Sequence, residues 1–218
     1  MSQLSLRARA AAALSVAAAA AAVGGTTLAA PSAAAVCTDI HVVFARGSGE
    51  LPGLGITGGP FVDAVRSNAA GRSVSSYAVN YAAALDQSSA GAGATDMTRH
   101  VVQYAAECPG ARIVLGGYSQ GASVTDISIG IPTVLGRGET IPASLSSRVT
   151  AVVVFGNPLR LTGGTIPTSS RTYGPKALDD CNAGDPVCAG GINVLAHLTY
   201  GFDGSAAAGG RFAAQRSR

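Results

Sequence analysis

The sequence contains no tryptophan and few aromatic residues, which make up 5% of its 218 positions. Proteins that stack nucleic-acid bases or sugar rings need exposed aromatic faces, so we expect neither a base-stacking platform nor an aromatic sugar-binding cleft. Charged residues are also scarce at 12%, and the formal net charge is only +3. A balance this close to neutral does not indicate a nucleic-acid partner.

The sequence also lacks any C-x-x-C pair, so its four cysteines do not follow the spacing of a zinc site. We expect no metal ion and no organic cofactor. An even number of cysteines in an exported chain predicts two disulfides, although four cysteines allow three pairings. Proximity in the sequence favours Cys181 with Cys188, which leaves Cys37 with Cys108.

The first 35 residues have the features of a secretory signal peptide. Arg7 and Arg9 precede a long, uncharged, alanine-rich run that closes on small residues, with an A-x-A site ending near Ala35. This order predicts export of residues 36–218 as a single secreted domain, which we expect to be a monomer. An uncleaved membrane anchor is the alternative. No later segment is long and apolar enough to span a bilayer.

Four short apolar runs, separated by segments of helical character, predict an α/β domain. Three of the four are continuous and β-branched, which is typical of strands buried on both faces of a parallel sheet. The runs cover residues 40–45, 74–81, 112–117 and 149–156. Strands that alternate with helices at this spacing favour right-handed crossovers. A fifth strand should follow, but the segment RTYGPKALDDC at 171–181 is polar and contains proline.

The stretch RIVLGGYSQGASV at residues 112–124 contains a G-x-S-x-G motif around Ser119. With 29 glycines in the chain, about 0.3 such matches are expected by chance. The context is more informative, because Ser119 directly follows a predicted buried strand and precedes a predicted helix. A serine on such a turn is a candidate nucleophile, and the helix N-terminus offers N–H groups to a developing oxyanion. A turn that uses small residues only for packing is the alternative.

A nucleophilic serine needs a general base. His41 lies inside the first predicted strand, where we expect a structural role, and His100 lies in the middle of a predicted helix, where we expect it to face solvent. Elimination favours His197 in NVLAHLTYG, because the chain order Ser, Asp, His places the base after the last strand.

The base in turn needs a carboxylate, and DDCNAGDPVC offers Asp179, Asp180 and Asp185. Asp185 lies between the last two cysteines, and a disulfide there would hold its loop rigid. The alternative is that Asp185 only caps a turn before Pro186, and Asp180 is then the rival candidate.

Two segments are candidates for the oxyanion hole. One N–H would come from Gln120, the residue after the nucleophile, and another donor from the loop ARGSGELPGLG at 45–55. Ser48 in that loop could add a hydroxyl donor. An ordinary glycine-rich loop is the alternative.

Five segments taken together resemble the cutinase family of secreted serine esterases. They are FARGSGE, CPGARIVLGGYSQGASV, VVFGNP, CNAGDPVC and AHLTYG, in that order and at compatible spacing. The resemblance extends over nearly the whole chain after residue 35. The pattern CxxxxRxxxGGYSQG and the disulfide-enclosed G-D pair are far more specific than G-x-S-x-G alone.

The resemblance implies Ser119 as nucleophile, His197 as general base and acid, Asp185 as its partner, and Ser48 with Gln120 as the oxyanion hole. It also implies a small α/β-hydrolase fold with a central five-stranded parallel sheet flanked by helices and no large lid. The cysteine pairing favoured by proximity is the one that the family implies as well.

Two departures from the family pattern are visible. The polar YGPKALDDC stands where the family has an apolar fifth strand, so this strand is expected to be short or distorted. The segment between Cys188 and His197 is about one residue shorter than in fungal members, which leaves the acyl chain length open. The candidate substrate-binding residues are Leu85, Ile192, Val194 and Leu198, the last three on the acyl side.

The sequence therefore predicts a secreted serine carboxylesterase that hydrolyses short- to medium-chain esters through an acyl-enzyme on Ser119. A lipid surface or a polyester is the candidate partner, and no nucleic acid is expected. An acetylxylan esterase, a phospholipase or a thioesterase on the same scaffold is the alternative within the enzyme class. A catalytically inactive secreted binding protein is the alternative outside it.

Overall fold

Five parallel strands form one sheet in the computed structural model, which describes residues 37–218. The strands are β1 (Ile40–Ala45), β2 (Val74–Ala78), β3 (Arg112–Tyr118), β4 (Val149–Phe155) and β5 (Ala177–Asp180). Their spatial order is β2-β1-β3-β4-β5. The predicted five-stranded parallel sheet is thus confirmed, whereas the predicted signal peptide at 1–35 lies outside the described residues.

Helices connect and cover the strands. They are α1 (Gly55–Asn68), α2 (Ala90–Glu107), α3 (Gln120–Ser128), α4 (Ile166–Ser169), α5 (Val194–Leu198) and α6 (Ser205–Arg216). Short 3₁₀ segments lie at Ala143–Leu145, Pro158–Thr162 and Gly174–Lys176. Among residues 37–218, no helix combines the length and the apolar character needed to cross a membrane.

The central strands are buried on both faces because helices pack on each side of the sheet. Val43 and Leu115 belong to the core under α2 and α3, whereas Val42 and Phe44 belong to the core under α1 and α6. This alternation explains the continuous apolar runs of the sequence, since both faces of each strand need apolar side chains.

The two edge strands are shorter than the central ones. β2 ends at Ala78, three residues before the predicted end, and Asn80 donates its backbone N–H to the Asp96 carboxylate at 2.8 Å instead of to a strand. β5 has four residues and pairs only with β4. Its polar Asp179 is buried beside Arg160, with Nε and Oδ1 2.9 Å apart. The expectation of a short fifth strand is confirmed.

The carboxyl ends of the parallel strands lie at one edge of the sheet, where α/β proteins place their sites. Loop 46–54 leaves β1 there, Ser119 follows β3, and the loop that contains Asp185 follows β5. The Cys37–Cys108 disulfide lies toward the opposite edge, where it joins the residues before β1 to the end of α2. The fold therefore gathers three chemically interesting segments at one end.

Candidate active site

Ser119 occupies a strained turn between β3 and α3. Its backbone has φ +55° and ψ −120°, a conformation that non-glycine residues rarely adopt. The backbone N–H of Ser119 donates to the Phe155 carbonyl of β4 at 2.9 Å, which holds the turn against the sheet. The side chain is therefore presented beyond the end of β3, at the N-terminus of α3.

The two glycines of the G-x-S-x-G motif allow this turn to pack closely. A Cβ on Gly117 would lie 2.0 Å from the Gly121 carbonyl oxygen, and a Cβ on Gly121 would lie 2.0 Å from the Ala45 carbonyl oxygen. Any larger residue would therefore displace backbone. The glycines bring the serine turn against the end of β1, where loop 46–54 begins.

Ser119, His197 and Asp185 form a continuous hydrogen-bonded chain. His197 Nε2 lies 2.9 Å from Ser119 Oγ, and His197 Nδ1 lies 2.8 Å from Asp185 Oδ2. The imidazole, on the short helix α5, is mostly buried, and the carboxylate is fully buried. This arrangement can move a proton from the serine hydroxyl to the imidazole while the carboxylate orients the ring.

The rival carboxylates lie elsewhere. Asp180 is the last residue of β5, and its carbonyl accepts the Gly156 N–H at 2.9 Å. Asp179 points into a buried polar cluster, where it accepts from Arg160 Nε at 2.9 Å and from Asn157 Nδ2 at 3.1 Å. Of the three aspartates that the sequence offered, the structure brings Asp185 to the histidine.

Three hydrogen bonds and a disulfide hold the Asp185 carboxylate in place. Oδ1 accepts the Val187 N–H at 2.7 Å, and Oδ2 accepts from both the histidine and the Tyr200 hydroxyl, the latter at 2.6 Å. The Cys181–Cys188 disulfide encloses the turn. These donors replace the hydrogen bonds with water that burial removes from the carboxylate.

The loop after β1 is tied down by side chains of its own. Glu50 accepts the backbone N–H groups of Gly47 at 2.6 Å and Ile56 at 2.7 Å, and Gly49 donates to the Ala83 carbonyl at 2.7 Å. The Ser48 hydroxyl oxygen is buried and finds no hydrogen-bond partner within residues 37–218. A buried hydroxyl without a partner is costly, so Ser48 is a donor in need of an acceptor.

Gln120 lies at the first position of α3 and is fully buried. Its side-chain Nε2 donates to the Ala84 carbonyl at 3.1 Å, which joins the helix to the segment after β2. The first N–H groups of a helix have no partner within the helix. The side-chain amide of Gln120 thus fixes the first turn of α3. The backbone N–H of Gln120 is then the group that could donate to an oxyanion.

The predicted substrate-binding residues are exposed apolar side chains. Their exposed fractions range from 44% for Leu198 to 97% for Ile192, with Leu85 and Val194 between these values. Leu85 packs beside loop 46–54, since a Cβ on Gly49 would lie 2.8 Å from its Cδ2. The other three precede or follow His197 in the chain. Together these four exposed apolar side chains are called the apolar rim.

Sequence reasoning did not identify two tyrosines that support the site. Tyr118 donates its hydroxyl to the His197 carbonyl at 2.8 Å, and Tyr200 bonds to Asp185 as described above. Burial raises the pKa of both phenols, and the Asp185 bond raises that of Tyr200 further. The available signal was their position in the sequence, because Tyr118 directly precedes Ser119 in GYSQG and Tyr200 follows His197 by three positions in HLTYG.

His41 and His100 form a separate cluster between β1, β2 and α2. Their Nε2 atoms lie 2.8 Å apart, His41 stacks on Tyr104, and His100 stacks on Tyr77. His41 is buried and bonded to Ser75 Oγ at 2.7 Å. The expectation that His100 faces solvent was wrong, because the stacked tyrosine and the paired histidine half-bury it.

Comparisons with known proteins identify a family that this chain resembles. A family model described as Cutinase matches residues 36–216. A Kineococcus radiotolerans protein named cutinase is 56% identical over 183 residues, which cover 83% of this chain and 62% of that relative. This chain is therefore shorter than that relative and spans less than two thirds of its length.

Mycobacterium tuberculosis contributes two further relatives. Carboxylesterase Culp1 is 41% identical over 187 residues, which cover 83% of this chain and 82% of the relative. Phospholipase Culp4 is 43% identical over 176 residues, which cover 80% of this chain and 77% of the relative. The shared region in each case includes most of the described residues.

Two solved structures have a similar fold. Trichoderma reesei cutinase in complex with a phosphonate inhibitor is 28% identical, with a TM-score of 0.65 over 84% of this chain and 78% of that one. An iodinated complex of acetyl xylan esterase is 26% identical, with a TM-score of 0.70 over 82% of this chain and 99% of that one.

Proposed function

The chain belongs to the cutinase family, a family of serine carboxylesterases, and on that premise we propose that Ser119, His197 and Asp185 are its catalytic triad. The observation that carries the proposal is the unbroken series of hydrogen bonds from Ser119 Oγ through His197 to the buried Asp185. No cofactor takes part in this chemistry.

The triad hydrolyses an ester in two steps. In the first, His197 Nε2 takes the hydroxyl proton as Ser119 Oγ attacks the carbonyl carbon, and the imidazolium then protonates the departing alcohol. In the second, His197 takes a proton from the water that attacks the acyl carbon, and the imidazolium returns that proton to Ser119 Oγ as the bond to the acid breaks. Asp185 keeps the proton on Nδ1, so that Nε2 faces the serine as an acceptor.

The Ser48 hydroxyl and the Gln120 N–H are proposed to form the oxyanion hole. Ser48 brings a buried hydroxyl that lacks a partner among the described residues, and Gln120 brings the first N–H of α3. An oxyanion that develops between them would satisfy both donors. The positive end of the α3 dipole adds to the same effect.

The apolar rim favours esters with a short or medium acyl chain. Leu85, Ile192, Val194 and Leu198 expose apolar surface, and we propose that it lines the approach to the reactive groups. Contact between this surface and a hydrocarbon chain stabilises the complex by about 25 cal/mol per Å² of apolar area removed from water. A lipid or polyester surface would supply such an acyl chain. The protein is proposed to act at that surface as a secreted monomer.

Secretion is supported by two features of the chain. The residues before position 36 follow the order of a signal peptide, and both disulfides are of the kind that persists outside the cytosol. The proposed mature protein therefore begins near residue 36.

The test is active-site labelling together with an ester series. The mature protein would be treated with a fluorophosphonate, the adduct mapped by mass spectrometry, and hydrolysis of p-nitrophenyl esters measured from acetate to palmitate. We expect one adduct, on Ser119, and a turnover maximum at a short or medium chain. Ser119→Ala is the matched control and should lose both signals. Unchanged ester hydrolysis by that variant would rule out the proposed nucleophile.

Relatives suggest which other esters belong in the assay. One similar structure is an acetyl xylan esterase, and one relative is named a phospholipase. Acetylated xylan, a phospholipid and an acyl thioester should therefore be measured beside the p-nitrophenyl series. Turnover of acetylated xylan without turnover of butyrate would favour a carbohydrate esterase. A folded protein that binds lipid but never labels would favour an inactive binding protein.

A further inference from the structure

The Tyr200 hydroxyl is the second strong donor to the triad carboxylate. The side chain of Tyr200 is fully buried, and its ring packs against Phe155 and Tyr118 with centroids 5.9 Å and 6.0 Å away. The imidazole of His197 meets the same ring edge-on at 6.3 Å. This packing holds the ring so that the phenol oxygen lies next to the Asp185 carboxylate, 2.6 Å from Oδ2.

The direction of the hydrogen bonds at this hydroxyl is determined by its neighbours. The Asn182 backbone N–H can only donate, and it lies 2.9 Å from the Tyr200 oxygen. The Cys188 sulfur, 3.4 Å away in the disulfide, carries no hydrogen and is only a weak acceptor. The one phenolic proton of Tyr200 is therefore donated to Asp185 Oδ2, 2.6 Å away. A hydroxyl that accepts one hydrogen bond becomes a better donor for the next.

The oxygen that receives this bond is also the oxygen that binds His197. Oδ2 lies 2.6 Å from the phenol and 2.8 Å from the imidazole Nδ1, whereas Oδ1 is bonded to the Val187 N–H. The phenol and the imidazole thus compete for negative charge on one atom.

We propose that Tyr200 is a positioning residue of the triad, which holds the Asp185 carboxylate in one orientation and shares the charge of the oxygen that faces His197. This inference rests on the proposed function, because it assigns a role within the same triad. Tyr200 does not touch the substrate, and it acts only through Asp185.

The expected sign follows from the charge on the carboxylate. Donation by the phenol disperses negative charge that would otherwise stabilise the imidazolium, so its loss strengthens the attraction between the carboxylate and the imidazolium. The same loss leaves a buried carboxylate with fewer donors and freer to rotate. The imidazole is then less well oriented, which slows turnover.

Tyr200→Phe is the direct test, because it removes one oxygen and keeps the ring. We expect kcat on p-nitrophenyl butyrate to fall about 10-fold while KM changes less than about two-fold. We also expect the acidic limb of the kcat/KM profile to move up by roughly half to one pH unit. A folded Tyr200→Phe protein with the wild-type pH profile would overturn the proposal.

Two tyrosines provide matched controls. The Tyr173 hydroxyl is buried and has no partner among the described residues, so Tyr173→Phe should leave kcat and the pH profile unchanged. Tyr118 bonds to the His197 carbonyl and not to the carboxylate. Tyr118→Phe should therefore lower kcat without moving the acidic limb. A shift of equal size in either control would assign the effect to packing and overturn the proposal.

A second measurement covers the case in which Tyr200→Phe does not fold. Replacement of Tyr200 alone by 3-fluorotyrosine keeps the hydroxyl and makes it more acidic, hence a stronger donor. The acidic limb should then move down, opposite to the shift in Tyr200→Phe. No shift, or an upward shift, in a folded fluorinated protein would overturn the proposal.

Labelling separates failure of this inference from failure of the proposed function. Fluorophosphonate modification of Ser119, with activity lost in Ser119→Ala, establishes the triad independently of any tyrosine variant. If those results hold and the pH profiles do not move, only the role of Tyr200 is wrong. If Ser119→Ala remains active, the proposed function itself is wrong.

Discussion

Arg46 and Tyr81 are joined by two hydrogen bonds, in which each side chain donates to the backbone carbonyl of the other residue. Arg46 Nη2 donates to the Tyr81 carbonyl at 2.8 Å, and the Tyr81 hydroxyl donates to the Arg46 carbonyl at 2.5 Å. Arg46 Nε also donates to the Glu50 carbonyl at 2.8 Å. This buried guanidinium therefore joins both ends of the turn that carries Ser48 to the segment after β2.

Arg46→Lys is expected to impair catalysis through the position of this turn. Lysine keeps the charge but cannot supply the planar fork that reaches several carbonyls at once. We expect kcat to fall by about 10-fold or more with little change in KM, and the free energy of unfolding to fall by about 3 kcal/mol. Michaelis kinetics and urea unfolding would measure both. Arg66→Lys, at an exposed ion pair, is the control, and wild-type kcat in folded Arg46→Lys would contradict the prediction.

Ser48→Ala is expected to remove one donor of the proposed oxyanion hole. Loss of such a donor lowers kcat by about 100- to 1000-fold, because the donor acts mainly in the transition state. KM for a p-nitrophenyl ester should change little. Thr57→Val is the control, because it also removes a buried hydroxyl without a partner among the described residues, but from α1. Equal losses in the two variants would argue against a special role for Ser48.

The two disulfides are expected to differ in what their removal costs. The Cys181–Cys188 bridge spans 7 positions around Asp185, and its loss should cost about 2–3 kcal/mol and also lower kcat. The Cys37–Cys108 bridge spans 71 positions far from the triad, and its loss should cost about 4 kcal/mol and leave kcat unchanged. Double serine variants, compared by urea unfolding and kinetics at low temperature, would test the contrast. Reversed effects on kcat would contradict it.

The His41–His100 pair is expected to reduce stability in acid. Burial, and then the charge of His100, lower the pKa of His41 to about 4, while burial lowers that of His100 against the opposing effect of Asp96 and Glu107. Both histidines bind protons more readily when unfolded. The free energy of unfolding is therefore highest above pH 6.5, where both histidines are neutral in either state. It falls as the pH drops toward 4, by at most about 3 kcal/mol from His41.

Urea unfolding between pH 7.5 and pH 4 would measure this loss. A glutamine variant of His41 should unfold with a weaker dependence on pH across that window, since one of the buried bases is absent. Arg66→Lys, at an exposed ion pair and with no group that titrates in this window, is the control and should keep the wild-type dependence. The prediction is wrong if the two variants respond to pH alike.

Much of the fold was predictable because the central strands are buried on both faces. β1, β3 and β4 appear in the sequence as continuous β-branched runs, and their predicted bounds agree with the structure to within one residue. β5 was harder to locate because Asp179 and Asp180 interrupt its apolar character. Asp179 is buried because it forms an ion pair with Arg160, and no local pattern in the sequence predicts that pair.

Local sequence and chain order determined the candidate groups of the site, and tertiary structure decided how they meet. The G-x-S-x-G turn, the late histidine and the cysteine-flanked aspartate were visible in the sequence, because each depends on residues within a few positions. The choice between Asp180 and Asp185, the donation by Tyr200 and the pairing of His41 with His100 depend on side chains that meet across the fold. Distances of 2.6 Å and 2.8 Å between such groups arise only when strands, helices and loops have packed together.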